Sequence, residues 1–219
     1  MRIPKLKEEQ KILSTFNPDQ IRAILSFRPK GRNLTRAHMV ACLLLDTGLR
    51  ISEALGLRAP DIDFDNLVLK VYGKGSKERL IPMSLELRRM LFRWCQRQTS
   101  DLISATRNGT KITVRNSARL QAAWQASKHH RVRMSPHTCR HSFACEYLRR
   151  GGNLEYLRRI LGHSSILTTQ KYLRSLGVAD LQAAHDGLSP LTVGGAGWKR
   201  GCADTNRRRN PARLTPILF

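Results

Sequence analysis

A chain of 219 residues with 41 % hydrophobic content can bury one sizeable core or two small ones, which argues against disorder throughout. Lys and Arg number 39 against 16 Asp and Glu, and a net charge of +23 makes the chain repel itself unless its usual partner is a polyanion, nucleic acid first. No stretch approaches the roughly 20 apolar residues of a membrane span, and the cations are not confined to one amphipathic helix, so no membrane partner is expected.

The amino terminus, Met1-Arg-Ile-Pro-Lys-Leu-Lys, lacks the apolar core of a secretory signal, so a cytoplasmic location is expected. Five cysteines (Cys42, Cys95, Cys139, Cys145, Cys202) form no Cys-x-x-Cys pair, which argues against a disulfide framework, a structural zinc or any other metal site. Residues 1–16 read as an entry arm or linker. Asn17-Pro18-Asp19 opens the first helix, with an N-cap followed by proline and with Ile21, Ile24 and Leu25 on one face. A second helix is predicted over about 35–47, stopping at Gly48, and Ser52 is the predicted cap of a short third helix through Leu57. Arg50 therefore falls at a sharp helix junction.

Residues 67–72 and 79–82 read as two strands around the turn Gly73-Lys74-Gly75-Ser76, a small hairpin with lysine at its tip. Helices are predicted at about 84–98 and 116–128, and the basic run Lys128-His129-His130-Arg131-Val132-Arg133 leads to Pro136. Further helices are predicted at about 138–150, from Asn153 to Gly162, from Ser165 through Tyr172, and at about 178–185. Residues 188–219 turn to Gly, Pro, Asn and Arg, a basic tail expected to lack a packed fold. The whole reads as mainly α with a small antiparallel sheet, an α+β catalytic domain over 17–187.

His137 and Arg140 stand three apart at a helix start, where backbone amides already favour an anion. His163 follows in a helix junction, and Tyr172 comes nine residues after it. Phosphoryl transfer without a metal needs a nucleophile, cations around the non-bridging oxygens, and an acid for the leaving oxygen. Tyr172 can supply a phenolate, Arg50 and Arg140 planar forks for phosphate, and Lys74 a proton for a departing deoxyribose oxygen. Lys77 competes with Lys74 for that place; the flanking glycines favour Lys74. Lys77, Arg79, Lys128, Arg131 and Arg133 are expected to touch DNA backbone without reading bases. Taken singly, each has a blander reading: Arg50 as a surface charge, His163 as a loop histidine, Tyr172 as a packing aromatic.

Four segments occur together in order: Thr47-Gly-Leu-Arg-Ile-Ser-Glu-Ala-Leu, Gly73-Lys-Gly-Ser-Lys-Glu-Arg, His137-x-x-Arg-His-Ser-Phe-Ala, and Leu161-Gly-His-Ser-Ser with Tyr172. With them the chain, over about residues 15–180, resembles the tyrosine recombinases of the Xer and phage-integrase type. The resemblance implies a catalytic set of Arg50, Lys74, His137, Arg140, His163 and Tyr172, with Tyr172 as nucleophile. It gives Glu53 and His141 supporting roles. It implies site-specific cleavage and rejoining of double-stranded DNA through a 3′-phosphotyrosyl bond, with no cofactor, by a protein monomeric in solution and tetrameric on paired sites, with room for a partner recombinase. Relatives usually carry an amino-terminal clamping domain, whereas about sixteen residues precede the catalytic segment here. The alternative is thus a DNA-binding integrase remnant that does not cleave. A topoisomerase-like relaxing enzyme and an RNA-binding protein rank below it.

Overall fold

The computed structural model describes residues 15–73, 78–106, 108–113, 135–180, 182 and 185. The hairpin tip with Lys74 and Lys77, the predicted helix at 116–128, and Lys128, Arg131 and Arg133 lie outside the described residues, as does nearly all of the chain after 180. The described residues through Leu176 form one compact unit and a second begins at Gly177; within the latter, the Asp180 carboxylate accepts the Gly177 N–H at 2.8 Å.

Helix α1, Pro18–Ser26, begins as its sequence dictates: the Asn17 side chain accepts the Gln20 N–H while the Gln20 side chain accepts that of Asn17. Helix α2, Arg32–Thr47, starts three residues before its predicted boundary and is buried along most of Arg36 to Thr47, because three later helices pack on it. It ends at Gly48, whose φ of +63° gives the left-handed exit that glycine allows. Helix α3, Ile51–Gly56, is not capped by Ser52. Arg50 is the N-cap residue, and the Glu53 carboxylate accepts its N–H at 2.8 Å. An acid at the third helical position does the capping from within.

A three-stranded antiparallel sheet follows, with β1 Ile62–Asp63, β2 Val68–Tyr72 and β3 Glu78–Pro82 in that order. The two-residue β1 was not predicted, being too short to show an alternation. Leu69 pairs with Ile81 and Val71 with Arg79, so these four share the inward face, while Tyr72 and Leu80 stand outside at 49 % and 69 % exposure. Helix α4, Leu85–Cys95, is capped by Ser84 and buries Leu87, Leu91 and Trp94 at helical spacing. Its start is held to the end of α2 by the Ser84 N–H on Asp46 (2.9 Å). Beyond its other end, Gln98 accepts from Arg32 (3.0 Å), so α4 runs antiparallel along α2.

Helix α5, Pro136–Arg149, packs on α2, and α6, Leu154–Leu161, capped by Asn153, leads to Gly162 at φ +64°. Helix α7 spans Ile166–Gln170 and is followed by a 3-10 turn, Leu173–Ser175. The helix predicted through Tyr172 therefore stops short of it, and the tyrosine sits in the turn between. Its ring fills a small second core with Ala144, Cys145, Leu148, Leu157 and Leu161.

Candidate active site

Two helix exits and one helix start converge. Arg140, on the first turn of α5, donates from Nη1 to the Gly48 carbonyl (2.6 Å) and from Nη2 to the Leu161 carbonyl (2.7 Å), the exposed ends of α2 and α6. The same Nη2 reaches His163 Nε2 at 3.0 Å, so that nitrogen is the acceptor and carries no proton. His163 Nδ1 then donates to Thr169 Oγ1 at 2.9 Å, a fully buried hydroxyl on α7. Arg50 closes the ring from the other side, donating from Nη2 to the Gly162 carbonyl (3.1 Å) and from Nη1 to Glu53 Oε1 (3.1 Å).

Tyr172 lies against this ring of donors. Its ring is parallel to that of His163 (10° between planes, centroids 6.4 Å apart), tilted against His141 at 5.5 Å, and capped by Lys171 Nζ at 5.4 Å. At 1 % exposure it is buried, and desolvation raises its phenol above the ordinary value although the charge and hydrogen bond of Arg140 pull the other way. Burial, with Arg50 nearby, draws the Arg140 guanidinium down to about 10. Burial and the surrounding cations push both His163 and His141 down to about 4, so both imidazoles are neutral at pH 7. His141 Nδ1 is buried with no hydrogen-bond partner, and His137 stands exposed close enough to His141 to contribute to that shift.

Residues 14–177 match the phage integrase family. The chain belongs to that family. A tyrosine recombinase XerC of Syntrophus aciditrophicus is 30 % identical over 202 residues, covering 86 % of this chain and 65 % of the relative. A tyrosine recombinase XerD of Pseudomonas aeruginosa is 35 % identical over 153 residues, covering 65 % of this chain and 51 % of the relative. The chain thus spans less than two thirds of these curated relatives. A crystal structure of XerA recombinase superposes with a TM-score of 0.68 at 21 % identity, over 83 % of this chain and 67 % of that one, a likeness of fold.

Among the site residues expected from sequence, this integrase-family domain gathers Arg50, Glu53, Arg140, His141, His163 and Tyr172, with His137 at the rim. Arg79 has partners within the fold. It was expected on DNA backbone, but its Nη1 and Nη2 donate to Glu53 (3.0 and 2.8 Å) and its Nε to the Ile160 carbonyl (3.0 Å), at 14 % side-chain exposure. Glu53 is consequently shared by two arginines: burial opposes its charge, yet the bonds from Arg79 and Arg50 hold its carboxyl below the usual range. Two further residues escaped sequence reasoning, Thr169 as the partner of His163 Nδ1 and Arg158, which donates to the His163 carbonyl at 2.7 Å. A lone threonine or arginine on a short helix carries no signal of either task. Among the described residues no three His, Cys, Asp or Glu side chains are grouped as metal ligands, and no helix is long and apolar enough to cross a membrane.

Proposed function

We propose that this domain cleaves and rejoins duplex DNA at specific sites through a covalent bond to Tyr172. The observation that carries the reading is the convergence of Arg50, Arg140 and His163 around Tyr172, from segments far apart in sequence, on a frame of main-chain carbonyls. In this reading Arg140 and Arg50 neutralise the non-bridging oxygens of a scissile phosphate, as planar forks suited to tetrahedral oxyanions. The Tyr172 oxygen gives up its phenolic proton to solvent and bonds to phosphorus as the 5′ oxygen departs, which takes a proton for which Lys74 is the sequence's candidate donor. The phosphodiester energy is kept in the phosphotyrosyl bond, so a partner strand's 5′-hydroxyl can reverse the step. His163 supplies a neutral ring that orients Arg140, and Glu53 positions Arg50. A tetramer on paired sites is the assembly this chemistry implies.

A non-cleaving, DNA-binding role is the second reading, favoured by the burial and raised pKa of the Tyr172 phenol. One experiment separates the two. The full chain and its Tyr172→Phe variant are incubated with nicked suicide duplexes taken from the DNA flanking the gene. A denaturation-resistant adduct formed by the parent and absent from the variant establishes the strand transferase; binding by both with no adduct establishes the second reading.

A further inference from the structure

Three of the exposed arginines among the described residues are closely paired with an acid on their own helix. Arg22 meets Asp19, Arg150 meets Glu146 at 2.8 Å, and Arg159 meets Glu155 at 3.1 Å. One face gathers three that lack a close acidic partner. Arg89, Arg93 and Arg97 recur every four residues along α4 and its closing turn, all exposed. Among the described residues, their only acidic contact is Glu86 against Arg89, at a loose 3.9 Å. Like charges at this spacing disfavour the helix that carries them. At its far end the stripe is joined to Arg32 through the Arg32 to Gln98 bond, and the exposed Arg28 and Lys30 stand in the segment that leads into Arg32.

The position of the stripe follows from the antiparallel pairing of α4 with α2. Ser84, at its near end, is bonded to Asp46, four residues from Arg50; the far end lies beside the start of α2, whose 16 residues span roughly 24 Å at 1.5 Å each. That length matches about seven steps of a DNA strand at roughly 3.4 Å each. The guanidinium fork suits phosphate, and a row of three cations with one loose acidic contact suits a backbone more than bases.

We propose that the Arg89, Arg93, Arg97 stripe, continued by Arg28, Lys30 and Arg32, is a second DNA contact that holds the backbone of duplex flanking the cleavage point. Its place relative to cleavage rests on the recombinase reading; its affinity for duplex does not. The test is the salt dependence of binding of the full chain to a random duplex of about 30 base pairs, where each lost phosphate contact lowers the log-log slope by about 0.9. The R89Q/R93Q/R97Q variant keeps good helix formers and relieves repulsion, and its melting temperature verifies the fold. Its slope is expected to fall by about 2 to 3, whereas the charge-matched R22Q/R150Q/R159Q variant changes by less than about 1. Equal changes in the two variants, or none in the stripe variant, overturn the proposal, as does stripe-dependent binding that prefers duplex RNA over duplex DNA. On a nicked suicide duplex trimmed close to the nick, the stripe variant is expected to form adduct as fast as the parent; a slower rate places the stripe inside the site and overturns the flanking assignment. If neither protein forms an adduct, the recombinase reading fails while the slope comparison still decides whether the stripe binds duplex.

Discussion

Arg140 and Arg50 look alike in sequence and differ in employment. Arg140, at 8 % exposure, satisfies two helix-end carbonyls, so Arg140→Lys removes both a phosphate fork and structural bonds. Arg50 has a side chain 41 % exposed. Arg50→Lys is expected to lower adduct formation by about 10²–10³ with little change in melting temperature, since one preorganised donor is lost. Arg140→Lys should lower both, measured by single-turnover adduct formation beside thermal denaturation. The histidines give a pH signature. His163 and His141 sit at about 4 in the fold, against about 6.5 in an unfolded chain. Between these values the unfolded chain binds protons that the folded one refuses, so stability is full above about pH 6.5 and declines as pH falls toward about 4. Denaturant titrations across that window should show the decline, with a shallower slope in His163→Gln; equal slopes would remove His163 from the account.

At the scale of elements, the α2 exit and the Glu53 clasp carry the architecture. A Cβ on Gly48 would stand 2.3 Å from Phe143 Cδ1 and 2.9 Å from Leu161 Cδ2, at a φ that side chains avoid. Gly48→Ala is expected to cost on the order of 2 kcal/mol or more in unfolding free energy and to weaken cleavage, because the same residue's carbonyl holds Arg140. Glu53→Ala strands the mostly buried Arg79 and should cost about 3–5 kcal/mol, with Glu53→Gln retaining part of the loss, both read by denaturant unfolding. Much of this was legible. The glycine stops and the Asn17 and Asn153 caps announced their helices, and four ordered motifs announced the site. The contacts of Arg79 were not legible, because its charge draws attention away from its parity. It shares the strand face of Ile81, so an inward arginine required a buried acid, and Glu53 was the acid at hand. Tyr172 lies outside α7 because its ring drops into the second core, a tertiary preference that local spacing does not reveal.

For the whole molecule, a charge of +23 makes repulsion within the chain a standing cost. Melting temperature is therefore expected to rise as salt goes from about 0.01 M to 0.15 M, shrinking the screening length from about 30 Å to 8 Å. Duplex DNA should raise it further at fixed salt; a melting point indifferent to both would remove the polyanion from the account. The bonds that frame the site are also the long ones: Arg140 to Gly48 spans 92 residues, Arg79 to Ile160 spans 81 and Arg50 to Gly162 spans 112. Such contacts close late, after most of the chain has been made and folded. Until the segment through Tyr172 has been made, Arg50 lacks the Gly162 carbonyl and Arg140 the Leu161 carbonyl and His163, so a growing chain carries its cations well before it carries the frame that aligns them.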